Sequence, residues 1–158
     1  MSFHDKAQMP LALRAARKGQ IRAQFAALCY RVVGDKTQVL LITSRGRKRW
    51  IIPKGWPSPG ITPAQGAAIE AWEEAGVVGR AHNQCLGVYS YMKLGAKTGD
   101  LPCIAMVFPI HVQQLKDKFP EAGQRRRKWV RPARAASMVG EPELTQILRH
   151  FDPRRLRL

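Results

Sequence analysis

The sequence predicts an α/β protein, a sheet of mixed strand direction covered by helices on both faces. Three observations carry this. Apolar, β-branched-rich runs of strand length recur along the chain between turn signals. One strong helix signal interrupts them mid-chain, between Thr62 and Gly76. Two further helical patterns, Pro132–Val139 and Glu141–Phe151, close the chain. With 158 residues, 45% of them hydrophobic, one domain can bury roughly 68–70% of its unfolded surface. No internal repeat or linker divides it.

In order, residues 1–21 read as a basic N-terminal arm with a short helix at Leu11–Arg17, and residues 22–151 as the domain proper. Phe25–Val33 and Gln38–Thr43 are strands joined by the hairpin signal Gly34-Asp35-Lys36. Ser44–Arg49 is a basic loop, and Trp50–Pro53 a short extended segment. Gln84–Met92 reads as a strand, and Lys93–Leu101, with Gly95, Lys97 and Gly99, as a mobile loop. Cys103–Val112 is the most continuous apolar strand, residues 113–128 a polar loop, and Trp129-Val130 a return to strand. Residues 152–158 form a basic tail expected to fray.

The most informative stretch runs from Gly55 to Val77, a Gly/Pro-rich loop leading into a short helix. Thr62 suits the N-cap, Pro63 the first helical position and Gln65 the third, which makes a capping box. Gly76 suits the left-handed position that ends the helix. Ala64, Ala68, Ala71, Trp72 and Ala75 gather on one side as the packing face. Glu70, Glu73 and Glu74, spaced i, i+3, i+4, project together from another. Each neighbouring like-charge pair costs roughly 0.2–0.5 kcal/mol in an exposed helix, and the cluster lies toward the C-terminal half, where the dipole disfavours anions. A solvated acidic face has this pattern, and so does a site for a hard divalent cation such as Mg²⁺ or Mn²⁺.

The loop in front of the helix bears on that choice, because the whole stretch resembles the Nudix box, Gly-x5-Glu-x7-Arg-Glu-U-x-Glu-Glu-x-Gly-U with U bulky and apolar. Gly55, Glu70, Glu73, Glu74, Gly76 and Val77 fall in register with it. Ile61 stands at the loop glutamate, Ile69 at the arginine, and Ala71 is small for its place. In the family the arginine and loop glutamate help hold the helix and its first glutamate. Replacing both with packing hydrophobes can be nearly neutral for stability, so Ile61 and Ile69 are expected to pack. The resemblance extends over roughly residues 22–151. Leu28–Arg31, Val39–Arg45, Arg49–Gly55 and Arg125–Trp129 look like the branch that cleaves diphosphoinositol polyphosphates and diadenosine polyphosphates.

That resemblance implies a Nudix α/β/α sandwich and a hydrolase acting on phosphoanhydrides. It implies metal ligands at Glu73, Glu74 and the Gly55 carbonyl, with Glu70 as a further ligand or an orienter of water. The general base is either a box glutamate or Glu121, beside the basic run. Phosphates would be held by Arg22, Arg45, Lys54, Lys93, Arg125 and Arg127, with Gln24 standing where the branch is usually basic. Tyr89 or Tyr91 is a candidate to stack on an adenine.

Twenty-seven Lys and Arg against 11 Asp and Glu give a net charge of +16 and a pI near 10.8. Such a balance suits polyanionic partners: a polyphosphorylated small molecule, RNA or an anionic surface. Three readings follow. The first is a pyrophosphohydrolase for a nucleoside polyphosphate or related metabolite. The second is a degenerate module that binds phosphorylated ligand or RNA without cleaving it, and the third cleaves RNA 5′ ends. Cys29, Cys85 and Cys103 lack metal-ligand spacing and point to a reducing, cytoplasmic setting. His4, His82, His111 and His150 also lack it and are given no chemistry. No signal-like segment opens the chain, and the apolar run from Cys103 to Ile110 is too short to span a bilayer. Nothing in the pattern specifies an oligomer.

Overall fold

A computed structural model describes residues 21–96 and 99–157; the helix expected at Leu11–Arg17, His4 and Lys97 lie outside them. The strands are β1 (Arg22–Val33), β2 (Lys36–Thr43), β3 (Trp50–Ile51), β4 (Lys54–Gly55), β5 (Val77–Ala81), β6 (Gly87–Ala96), β7 (Gly99–Leu115) and β8 (Arg127–Val130). The helices are α1 (Pro63–Ala75), α2 (Pro132–Met138) and α3 (Pro142–Arg149). One sheet runs β3-β2-β1-β7-β5, with β4 paired to β1, β6 to β7 and β8 to β2. β1 and β7 are parallel, from Arg22 opposite Cys103 to Tyr30 opposite His111, while the other pairings are antiparallel. The mixed sheet is as expected.

Alternation explains why Phe25–Tyr30 of β1 and Val39–Ile42 of β2 are apolar at every position. Ala26, Leu28, Tyr30, Val39 and Leu41 face a core closed by Leu144, Leu148 and Phe151 at the C-terminal end of the chain. Ala27, Cys29, Leu40 and Ile42 face the other core, closed by Ala64, Ala67, Ala71 and Ala75 of α1. Successive side chains thus bury on opposite faces, and neither face is left to water. This is the α/β/α sandwich.

α1 is capped as its sequence predicts. Gln65 N donates to Thr62 Oγ1 at 3.2 Å, and Thr62 N donates to Gln65 Oε1 at 3.0 Å. Gly76 ends the helix at φ 71°. The packing face is rotated from the expected one: Ala67 and Gly66 are buried, while Ala68 and Trp72 are only half-buried. Small residues let the helix lie close to the sheet, and a Cβ on Gly66 would come within 2.9 Å of the Phe25 ring. Ile61 and Ile69 do not pack as expected; they remain 36% and 41% exposed.

Other departures come from strand pairing. The described residues of the Lys93–Leu101 segment pair as strands, with Lys93 opposite Leu101 and Ala96 opposite Gly99. The polar 113–128 stretch is shorter than expected, because β7 continues to Leu115 and β8 begins at Arg127. β5 has no clear sequence signal; it pairs with β7 around a bulge at Val78/Gly79. Nor does the tail fray: Pro153–Arg155 form a 3₁₀ turn capped by Asp152, and Leu156 packs against the core.

Gly76 supports a direct test. A Cβ there would lie 2.6 Å from the Lys116 carbonyl oxygen, in a left-handed backbone. Gly76→Ala is expected to cost about 1–3 kcal/mol, read as a lower urea midpoint with an unchanged slope.

Candidate active site

The capped helix presents its carboxylates to the start of the Gly/Pro loop and to the segment between β7 and β8. Glu70 lies directly over Gly55: a Cβ on that glycine would stand 2.1 Å from the Glu70 carboxyl carbon. Only glycine fits there. Glu74 is 4% exposed and accepts long hydrogen bonds from Lys54 N at 3.4 and 3.5 Å. The Glu73 carbonyl accepts from Glu121 N at 3.0 Å, which ties the facing loop to the helix.

Arg125 is the counter-charge. Its side chain, 8% exposed, lies 3.5 Å from Glu74 and 3.1 Å from Glu121. Nη1 also donates to the Thr43 carbonyl at 3.1 Å. Burial pushes the Glu70 carboxyl up to about 7, reinforced by Glu74, Glu73 and Glu121. Burial likewise pushes Glu74 up to about 7, opposed by Arg125 and Lys54. A single guanidinium does not fully offset this many carboxylates.

The donor set suits a hard divalent ion, being carboxylate oxygens beside a glycine with no side chain to crowd them. It is not a closed cage. Among the described residues no three His, Cys, Asp or Glu side chains already form a metal cluster, and Arg125 holds Glu74 and Glu121. Of the expected ligands, the Glu70 and Glu74 carboxyls are the ones brought to Gly55 and the Lys54 amide, while Glu73 is half-buried on the same helix with its carbonyl on Glu121 N.

The expected phosphate ligands divide. Arg45 is 63% exposed beside Glu121, at 3.8 Å. The Lys54 ammonium sits 4.7 Å above the Tyr91 ring, its pKa lowered by burial and sustained by Glu74 and Glu141. The Lys93 ammonium lies 5.0 Å over Trp56. Arg22 is exposed at the start of β1. Arg125 and Arg127, by contrast, are occupied within the fold. Arg127 Nη1 donates to the Ala75 and Lys116 carbonyls at 3.0 and 2.7 Å, and Nη2 pairs with Asp117 at 3.2 Å. It thereby closes the C-terminal end of α1. Tyr89 is 1% exposed and belongs to the core, contributing beside Tyr91 to the wall of a cleft. Tyr91 donates its hydroxyl to Gln24. Sequence reasoning missed Arg49 and Glu141, which line a cleft with Lys54; the only local signal was a glutamate before Pro142 at a helix start.

The NUDIX domain family matches residues 22–151. The chain belongs to the Nudix family. Nudix hydrolase 12, mitochondrial, of Arabidopsis thaliana is 29% identical, covering 78% of this chain and 64% of that protein. Diphosphoinositol polyphosphate phosphohydrolase 3-alpha of Mus musculus is 31% identical, covering 66% and 60%. The chain thus spans less than two thirds of the length of these Nudix relatives. The solved C. elegans Ap4A hydrolase superposes with a TM-score of 0.58 at 20% identity, covering 82% of this chain and 94% of that one. It confirms the Nudix fold.

Two measurements test the site. With Glu70 near 7 against an ordinary 4.5, the folded chain retains a proton that the unfolded chain releases. That stabilisation is full at acid pH and is lost as pH climbs through this window. In metal-free buffer Glu70→Gln should therefore gain stability relative to the parent between about pH 5 and pH 8; a constant difference in melting temperature would contradict this. Arg125→Met removes the buried counter-charge shared by Glu74 and Glu121, leaving only Lys54 and the exposed Arg45 beside them, and is expected to cost on the order of 3 kcal/mol in urea denaturation.

Proposed function

We propose that the chain is a Mg²⁺- or Mn²⁺-dependent pyrophosphohydrolase. Its substrate would be a nucleoside polyphosphate, such as a diadenosine polyphosphate, or a related polyphosphorylated metabolite. One observation carries the reading: Glu70 lies over Gly55, Glu74 stands at the Lys54 amide one turn on, and Glu121 is tied to the same helix through the Glu73 carbonyl, inside a chain of net charge +16. The relatives' names, which include phosphohydrolases of polyphosphates, support it.

A bound divalent ion would neutralise phosphate charge and lower the pKa of its water. Glu73, Glu74 and the Gly55 carbonyl would hold it, and Glu70 would add a ligand or orient the water. Glu121 is the base candidate outside the helix, its carboxylate fixed by Arg125 at 3.1 Å. Arg45, Lys54, Lys93 and Arg22 would draw in the polyphosphate. Arg125 holds the acids, and Arg127 holds the helix end. The cytoplasm is the proposed compartment, on Cys29, Cys85 and Cys103 all being free thiols, although plant relatives carry mitochondrial and chloroplastic names. No helix among the described residues is long and apolar enough to cross a membrane.

A second reading, a module that binds phosphorylated ligand or RNA without cleavage, is favoured by one observation. Ile61 and Ile69 are exposed rather than replaced by a packed pair. The two readings separate in one assay. With Mg²⁺ and diadenosine polyphosphates, Glu73→Gln and Glu74→Gln should lower turnover about a hundredfold or more while the melting transition persists. Undiminished turnover in both variants would defeat the hydrolase. Steeply salt-dependent RNA binding by a parent protein that cleaves no pyrophosphate would favour the second reading.

A further inference from the structure

Beside the carboxylates lies a cleft of about 260 Å³ between the β4–β6 side of the sheet and the start of α3. Its lining includes Arg49, Lys54, Tyr91, Met92 and Glu141. Lys54 joins it to the acidic site, since its backbone N–H donates to Glu74 while its side chain faces the cleft. The volume is below the roughly 300–1,000 Å³ of drug-sized ligand sites, so it has room for one end of an extended substrate.

The two acids at the start of α3 have different work. Glu143 Oε1 accepts from Ser90 N at 2.8 Å and from Ser90 Oγ at 2.9 Å. That anchors α3 to β6 and sets where Glu141 stands. Glu141 occupies the N-cap position but makes no side-chain capping bond. Its half-buried carboxyl lies instead on the cleft wall, where burial raises its pKa and Lys54 and Arg49 oppose the rise. The cleft therefore offers cations for phosphate and, at another point, an anionic acceptor. An acceptor repels a phosphate and attracts an O–H or N–H. A polyol phosphorylated at every position has only phosphates to offer it. A nucleotide brings phosphate together with ribose hydroxyls and base N–H groups, and Met92 supplies an adaptable apolar edge for the base.

We propose that this cleft holds the nucleoside end of the substrate, with Glu141 accepting hydrogen bonds from its hydroxyl or amino groups. Glu141 is then a specificity residue that favours nucleoside polyphosphates over fully phosphorylated polyols. The assignment of substrate class rests on the hydrolase reading above, but the binding it requires does not need turnover.

Calorimetric titration of the full chain with ADP and with inorganic tripolyphosphate, in metal-free buffer, tests it. Glu141→Ala and Glu141→Gln should keep the parent melting temperature. Glu141→Ala should lose about tenfold or more in ADP affinity, Glu141→Gln an intermediate amount, while tripolyphosphate binding holds or strengthens. In turnover, the loss on diadenosine tetraphosphate should appear in KM, and a diphosphoinositol substrate should be cleaved no worse. Equal ADP affinities in parent and Glu141→Ala, a parallel loss on both ligands, or a parent that does not bind ADP would each overturn the proposal. A parent that binds ADP through Glu141 yet cleaves nothing would retire the hydrolase and leave this assignment standing.

Discussion

Like charges crowded onto one helix set the terms for this molecule. Glu70, Glu73 and Glu74 share a side of α1, and Glu121 is drawn up to them by its own backbone N–H. Every element around the helix answers that repulsion or the burial that worsens it. β4 contributes a bare α-carbon under Glu70 and an amide toward Glu74. The segment before β8 contributes Arg125, itself steadied by the Thr43 carbonyl of β2. Removing ionised carboxylates from water is costly unless they are paired or take up protons; Arg125 supplies the pairing, and burial raises the pKa of Glu70 and Glu74. The acidic patch is the exception in a strongly basic protein, which suits a place where a polyanion meets a cation that is not part of the chain.

Local chemistry was legible in the sequence, because short-range geometry decides it. Thr62, Pro63, Gln65 and Gly76 each specify one helix terminus through neighbours a few residues away. The centres of β1 and β2, Phe25–Tyr30 and Val39–Ile42, were legible because burial on both faces makes successive positions apolar. β5 was not: Val77–Ala81 contains Gly79 and Arg80, and becomes a strand because β7 pairs with it, the Gly79 α-carbon passing where a Cβ would lie 2.3 Å from the His111 carbonyl oxygen. The glycines of the Lys93–Leu101 segment suggested a loop, yet its described residues pair as strands.

The roles of the arginines were hidden for a related reason. In sequence, Arg125 and Arg127 belong to a basic run that looks like a phosphate grip. The strand alternation of β8 and the chain entering it turn these two side chains inward, to Glu74, Glu121 and the end of α1. The missing positive charge at position 69 also takes on a different meaning. Ile69 does not restore the packing that the pair of apolar substitutions implied, since it stands 41% exposed. A guanidinium distant in sequence reaches the helical acids instead. It touches Glu74 rather than Glu70, which lies over the bare Gly55 α-carbon with burial as its dominant influence.

All of this turns on whether the helical carboxylates grip a doubly charged ion. Electron paramagnetic resonance of Mn²⁺ added to the full chain measures that directly, because the signal of the hydrated ion collapses when protein oxygens replace its water. The parent protein is expected to quench that signal saturably, in competition with Mg²⁺, and the Glu73→Gln, Glu74→Gln double variant to lose that quenching. An unquenched signal, or equal quenching by the parent and the double variant, would contradict such a grip.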